Sequence, residues 1–103
     1  MNSFLIEREG ARVKVILGDE LSSVVVSELR ELLSAIQDDG VTDLSLDCSK
    51  TSFLDAAGLS LLLAARNSFS GGGKSLRLVG VKPSIFELLR TLRLEQRLNA
   101  EME

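Results

Sequence analysis

The spacing of apolar residues changes period along this chain, and that change restricts the fold more than any other feature. Leu44, Leu46 and Cys48 alternate with Ser45 and Asp47, so one face of an extended segment is apolar and the other polar. Earlier, Val25, Leu29, Leu32, Leu33 and Ile36 recur at i, i+4, i+7, i+8 and i+11, which aligns them on one face of a helix. Ser22 or Ser23 suits the cap of that helix and Asp39-Gly40 its end. A sheet whose strands alternate with helices is the expected architecture.

The rest of the chain extends the pattern. Phe4 to Arg8 and Arg12 to Leu17 are rich in bulky apolar residues and flank Glu9-Gly10, as in an antiparallel hairpin. A second helix is expected from Asp55 to about Asn67. The short Ser/Gly stretch Ser68 to Gly73 reads as a turn, and Leu76 to Val79 as a fourth strand. Pro83 suits the first turn of a third helix, with Ile85, Phe86, Leu88, Leu89 and Leu92 available for packing. Residues 98 to 103 read as a frayed tail or a truncated last element. From the second strand on, the order is strand, helix, strand, helix, strand, helix, so those strands should be parallel through right-handed crossovers. With the initial hairpin the expected class is α/β: a mixed β-sheet, hairpin then βαβαβα, flanked by helices and covered mainly on one side.

Composition narrows the function. At 103 residues, 45% hydrophobic and 26% charged, the chain suits one domain spanning residues 1 to 103. Its apolar runs, such as Leu61 to Ala65, are far shorter than the roughly 20 residues a membrane-spanning helix needs. No basic stretch followed by an apolar one opens the N-terminus, so a cytoplasmic, unprocessed protein without direct membrane insertion is expected. There is one cysteine and no histidine. An intramolecular disulfide, Ser-His-Asp or Cys-His catalysis and His-ligated zinc are therefore excluded. Net charge is −3, with five Lys/Arg against ten Asp/Glu in residues 1–51 and seven against five in residues 52–103. The second half's cations are spread over several elements and no Trp or Tyr is present to stack on bases, so no nucleic-acid partner is expected.

The segment most informative about a site is Ser52-Phe53-Leu54-Asp55-Ala56-Ala57-Gly58-Leu59. A strand ends, Asp55 can cap a helix, and three small residues fill the first turn. Such a turn leaves backbone N–H groups accessible beside the positive end of a helix and favours close approach by another molecule. Gly58 costs about 0.8–1 kcal/mol relative to Ala in an exposed helix interior, so its presence points to tight packing or to a partner's backbone. Snug seating of the helix on the sheet, with Asp55 acting only as a cap, is the plain alternative.

Phe53-Leu54-Asp55-Ala56-Ala57-Gly58-Leu59 resembles the hallmark of the STAS family, a hydrophobic residue followed by Asp-Ser-Ser/Ala-Gly-Leu. The resemblance extends, in order, to Val15-Ile16-Leu17-Gly18, Ser27-Glu28-Leu29-Arg30, Leu44-Ser45-Leu46-Asp47 and Leu78-Val79-Gly80-Val81-Lys82-Pro83. It implies a STAS-like fold and a non-enzymatic, protein-binding role of the anti-sigma factor antagonist type. The implied partner is an anti-sigma factor of the ATP-binding serine-kinase type, with a phosphatase of the same partner-switching circuit as a further partner; no cofactor or metal is expected. The implied partner-binding residues are Asp55, Ala56, Ala57, Gly58, Leu59 and Ser60.

Two departures from the family pattern matter. The residue after the motif Asp, the phosphoacceptor in phosphorylated members, is Ala56 here, and Ala57 follows, so neither position carries a hydroxyl. A phosphoryl group there would bring roughly −1.5 to −2 charges to the docking surface. In place of Gly-x-Leu-Asp the chain has Gly18-Asp19-Glu20-Leu21-Ser22, a slip of one residue, and Asp19, Glu20 and Ser22 carry no transferred role.

Other readings are weaker. Ser60, Ser52 and Thr51 are the alternative hydroxyls near the motif. Leu59-Ser60-Leu61-Leu62-Leu63 resembles the sequence of stand-alone STAS proteins that bind the ATPase of a lipid-transporting ABC complex, the main alternative function. Gly73-Lys74-Ser75 imitates the end of a phosphate-binding loop, but the required earlier glycine is Ser68. Cys48 reads as a small core residue.

Overall fold

The computed structural model describes residues 4–69, 71 and 73–103. Ser70 and Gly72, within the expected Ser/Gly turn, lie outside the described residues, as do residues 1–3. The hairpin forms as β1 (Leu5–Glu9) and β2 (Arg12–Ile16), paired antiparallel with Glu9 opposite Arg12. Gly10 closes it at φ +62°, a conformation that favours glycine. After β2 come a two-residue strand β3 (Glu20–Leu21), helix α1 (Ser23–Gln37), β4 (Asp43–Asp47), a two-residue strand β5 (Phe53–Leu54) and helix α2 (Ala56–Ser68). The chain ends with β6 (Ser75–Val81), α3 (Pro83–Thr91) and β7 (Ala100–Met102).

Five strands form one mixed sheet in the order β1-β2-β4-β6-β7, and β2, β4, β6 and β7 run parallel. The alternation seen in the sequence sorts the two faces. Val13, Val15, Leu44, Leu46, Leu76 and Leu78 are buried beneath the helices. Arg12, Lys14, Asp43, Ser45, Asp47, Ser75 and Arg77 occupy the other, uncovered face. There charges meet across strands: Arg12 with Asp43 at 3.5 Å, Lys14 with Asp47 at 3.4 Å and Arg77 with Glu101 at 3.6 Å. Such exposed pairs add little stability, but they keep this face wet.

Helix α1 buries Val25, Val26, Leu29, Leu33 and Ile36. Of the two serines offered as its cap, Ser22 takes the role, its side chain accepting from the Val24 N–H at 3.3 Å. Pro83 stands at the first turn of α3, where Ile85 and Leu89 are buried. Leu88 and Leu92, expected to pack, instead remain substantially exposed. Leu88 lies beside the Ile85–Leu89 stripe, Leu92 follows the last helical residue as the C-cap, and no further element covers them among the described residues.

Two features correct the sequence reading. Residues 98 to 103 are not frayed: the chain reverses after α3 through Arg93 (φ 59°) and Asn99 (φ 49°), and β7 adds a parallel strand beside β6. Leu98, wholly buried, anchors this return, and the Asn99 side chain donates to the Leu76 carbonyl at 3.0 Å. Three residues are too short for a period of two to register, which is why the strand was not expected. Strands β3 and β5 were also unforeseen; they pair parallel, Glu20 with Phe53 and Leu21 with Leu54, in a separate two-stranded ribbon.

Because the tail is structural, Leu98→Ala should lower unfolding free energy by about 2–5 kcal/mol, measurable by urea denaturation. A frayed tail would leave the midpoint unchanged.

Candidate functional site

Each of α1, α2 and α3 starts at the carboxyl end of the parallel strands, so their N-termini gather at one end of the sheet, where α/β folds commonly bind partners. The β3–β5 ribbon sits at this end and joins the loop after β2 to the loop after β4. The Asp19 carbonyl accepts from Ser52 N at 2.8 Å and Phe53 N at 3.3 Å, and the Thr51 hydroxyl donates to the Gly18 carbonyl at 2.8 Å.

At the centre is Asp55, the N-cap of α2, in extended conformation. One carboxylate oxygen accepts from the Gly58 N–H at 2.9 Å, the usual capping bond. The other accepts from the Ser23 N–H at 3.0 Å, in the first turn of α1. A single carboxylate thus satisfies orphan donors of two helices, reaching from Asp55 to Ser23 across 32 residues of chain. These bonds from Gly58 and then Ser23 favour the ionised form and hold the Asp55 pKa below the ordinary carboxylate value, against partial desolvation.

Gly58 has an equally specific reason. A Cβ there would lie 2.1 Å from the Leu21 carbonyl oxygen, a backbone atom of the paired ribbon that cannot simply rotate away. The same carbonyl accepts from Asp55 N at 3.3 Å. Of the two explanations for this glycine, tight packing within the chain is the one the geometry provides. The turn is correspondingly less open than expected, since the Gly58 N–H is occupied by Asp55 and the Leu59 N–H by the Asp55 carbonyl at 2.9 Å.

The six expected binding residues therefore divide. Ala56 and Ser60 are exposed, Asp55, Ala57 and Leu59 are half-buried, and Gly58 is buried. Ala57 and Leu59 pack on the hydrophobic core. Among the alternative hydroxyls, Ser52 and Ser60 are exposed, while Thr51 is only 2% exposed and hydrogen-bonded. Glu20 and Ser22 meet through a hydrogen bond of 3.0 Å between the Ser22 hydroxyl and the Glu20 carboxylate. Away from the turn, burial and then the neighbouring Asp47 charge push the Cys48 thiol up to about 12, which leaves it a protonated core residue. Burial tends to raise the Asp47 carboxyl, but bonds from Ser49 and the nearby Lys14 prevail and hold it low.

Two apolar residues at this end of the sheet were not singled out as binding residues. Val24 is 80% exposed in the first turn of α1, next to the serine that Asp55 holds, and Phe53 is 52% exposed on β5. The available signal was negative: Val24 falls off the apolar stripe of α1, and a bulky apolar residue off its stripe has no core to enter.

Comparison with known proteins bears on the family and the fold. The family profile described as "Mlab, STAS domain" matches residues 4–100. The anti-sigma-B factor antagonist of Staphylococcus aureus is 31% identical over 75 residues, which cover 73% of this chain and 69% of that protein. The fold matches the anti-sigma factor antagonist from Mycobacterium paratuberculosis with a TM-score of 0.82 at 21% identity, covering 95% of this chain and 83% of that one. It also matches the anti-sigma factor antagonist SpoIIAA in its unphosphorylated form, with a TM-score of 0.80 at 21% identity, covering 90% and 83% of the two chains. The same Bacillus protein in its phosphorylated form matches at 0.74 and 21% identity, covering 90% of this chain and 86% of that one. The chain belongs to the STAS domain family and, by its relatives, to the anti-sigma factor antagonists.

Gly58→Ala should be destabilising by about 2 kcal/mol or more in urea denaturation, although Ala is the better helix former. Asp55→Asn should lower stability at neutral pH. Because the folded-state pKa of Asp55 is depressed, its contribution is present above the ordinary carboxylate pKa and is lost as pH falls through the depressed value. The stability gap between the two proteins should therefore close in acid, as followed by denaturation at stepped pH.

Proposed function

We propose that this chain is a non-enzymatic, cytoplasmic protein-binding regulator that sequesters an anti-sigma factor of the ATP-binding serine-kinase type, through the face around Asp55, Ala56 and Ser60. The observation that carries the proposal is the position of Ala56. It is exposed at the head of α2, directly after an Asp that fixes the turn from both sides, in a chain whose relatives are anti-sigma factor antagonists.

SpoIIAA has been solved in unphosphorylated and phosphorylated forms. In this chain the position after the motif Asp carries a methyl group, which a kinase cannot modify. The face then keeps the neutral, close-fitting state permanently, and phosphorylation at that position cannot release the partner. A phosphatase acting on that residue has no substrate here. The functional reading thus favours constitutive binding over a phosphorylation-gated cycle.

The leucine run that resembles the lipid-transport accessory proteins has a sufficient account in packing, because Leu61 and Leu62 are buried in the core. Affinity capture from the source organism's lysate, with this chain beside Ala56→Asp, separates the readings. Ala56→Asp places an unpaired charge in the centre of the interface and should cost several kcal/mol of binding while leaving the melting temperature nearly unchanged. Retention of an anti-sigma kinase by the first protein and its loss by the second supports the proposal. ABC-transporter subunits in its place overturn it in favour of the transport role.

A further inference from the structure

Resting on the reading that this end of the sheet docks an anti-sigma factor, we infer that Val24 and Phe53 are the two apolar anchors of the interface, and that they seat in an apolar pocket of the partner rimmed by Lys and Arg.

The fold gives neither side chain an internal role. Val24 is 80% exposed although it belongs to a helix with five buried apolar residues, and Phe53 is 52% exposed although its strand neighbour Leu54 packs on the core. In the β3–β5 ribbon side chains alternate, so Leu21 and Leu54 turn inward together and Glu20 and Phe53 turn outward together. Val24 follows Ser23, whose N–H is held by Asp55, and Phe53 precedes Asp55 by two residues. The Ser23–Asp55 hydrogen bond therefore stands between the two anchors and fixes their relation, with exposed Ala56 on the same turn. Fixing the backbones that carry both anchors before binding lowers the ordering cost of docking.

Charge defines the partner's rim. On α1, Glu28 and Glu31 follow Val24 at i+4 and i+7, on the same helix face, and all three are exposed. On the other side lie Asp19 and Glu20. Against these four carboxylates this end offers two lysines, Lys50 in the loop before β5 and Lys82 at the N-cap of α3. A surface of this kind is complementary to a basic rim, which speeds encounter and selects against acidic competitors.

The test titrates the unmodified chain and three variants, by calorimetry, against each purified ATP-binding anti-sigma factor of the source organism. Val24→Asp is expected to weaken binding roughly tenfold or more. It should leave the circular dichroism and melting temperature intact, because a carboxylate is favoured in the first turn of a helix. Phe53→Ser should weaken binding comparably. Leu92→Ser, which alters a leucine about as exposed as Phe53 (46%) at the far end of α3, should bind as the unmodified chain does. Binding that both anchor variants retain within about twofold overturns this inference and leaves the proposed function standing, as does equal loss in Leu92→Ser. Binding of the unmodified chain to none of the anti-sigma factors overturns the proposed function and this inference with it.

Discussion

The carboxylate of Asp55 lies between the first turns of two helices and accepts a backbone N–H from each, at 2.9 Å from Gly58 and 3.0 Å from Ser23. Every helix N-terminus leaves donors without partners, and the two ends brought together here carry partial positive charge of the same sign. One anion between them answers both problems. The arrangement needs the ribbon of β3 and β5 to draw the loops together and needs Gly58, because Leu21 leaves no room for a Cβ. Asp55 and Gly58 are thus two halves of one local solution: the first ties the helices and the second lets the ribbon approach.

That solution shapes the end of the sheet where the three helices begin. The helix-covered side of the sheet supplies stability through a continuous core from Phe4 to Leu98, and the opposite side is a solvated set of cross-strand ion pairs. The proposed docking surface is the end where the helices begin. Its surface carries exposed methyl and aromatic groups on a frame of backbone hydrogen bonds. Such a frame fits the protein partner proposed for it.

Much of the fold was legible in the chain because burial on one face imposes a period. The two-residue alternation of β4 and the stripe of α1 each state which face is covered, and the order of elements then leaves one parallel arrangement. The local capping role of Asp55 and the special status of Gly58 could also be read, since a helix start has its own chemistry. Elements too short to repeat a period were invisible. Strands β3, β5 and β7 have two or three residues each, and their pairing is decided by what lies beside them.

Sequence alone determined the family, the core faces, the exclusion of histidine chemistry and the missing hydroxyl at Ala56. Those are properties of residue identity and local spacing. Only the tertiary structure decided that Asp55, the cap of α2, also accepts a first-turn N–H of α1, that Gly58 is needed for Leu21, and that Val24 and Phe53 stand exposed in the segments this bond joins. Each of these depends on a contact between segments roughly 30 residues apart, and no local period encodes which distant backbone a side chain will meet.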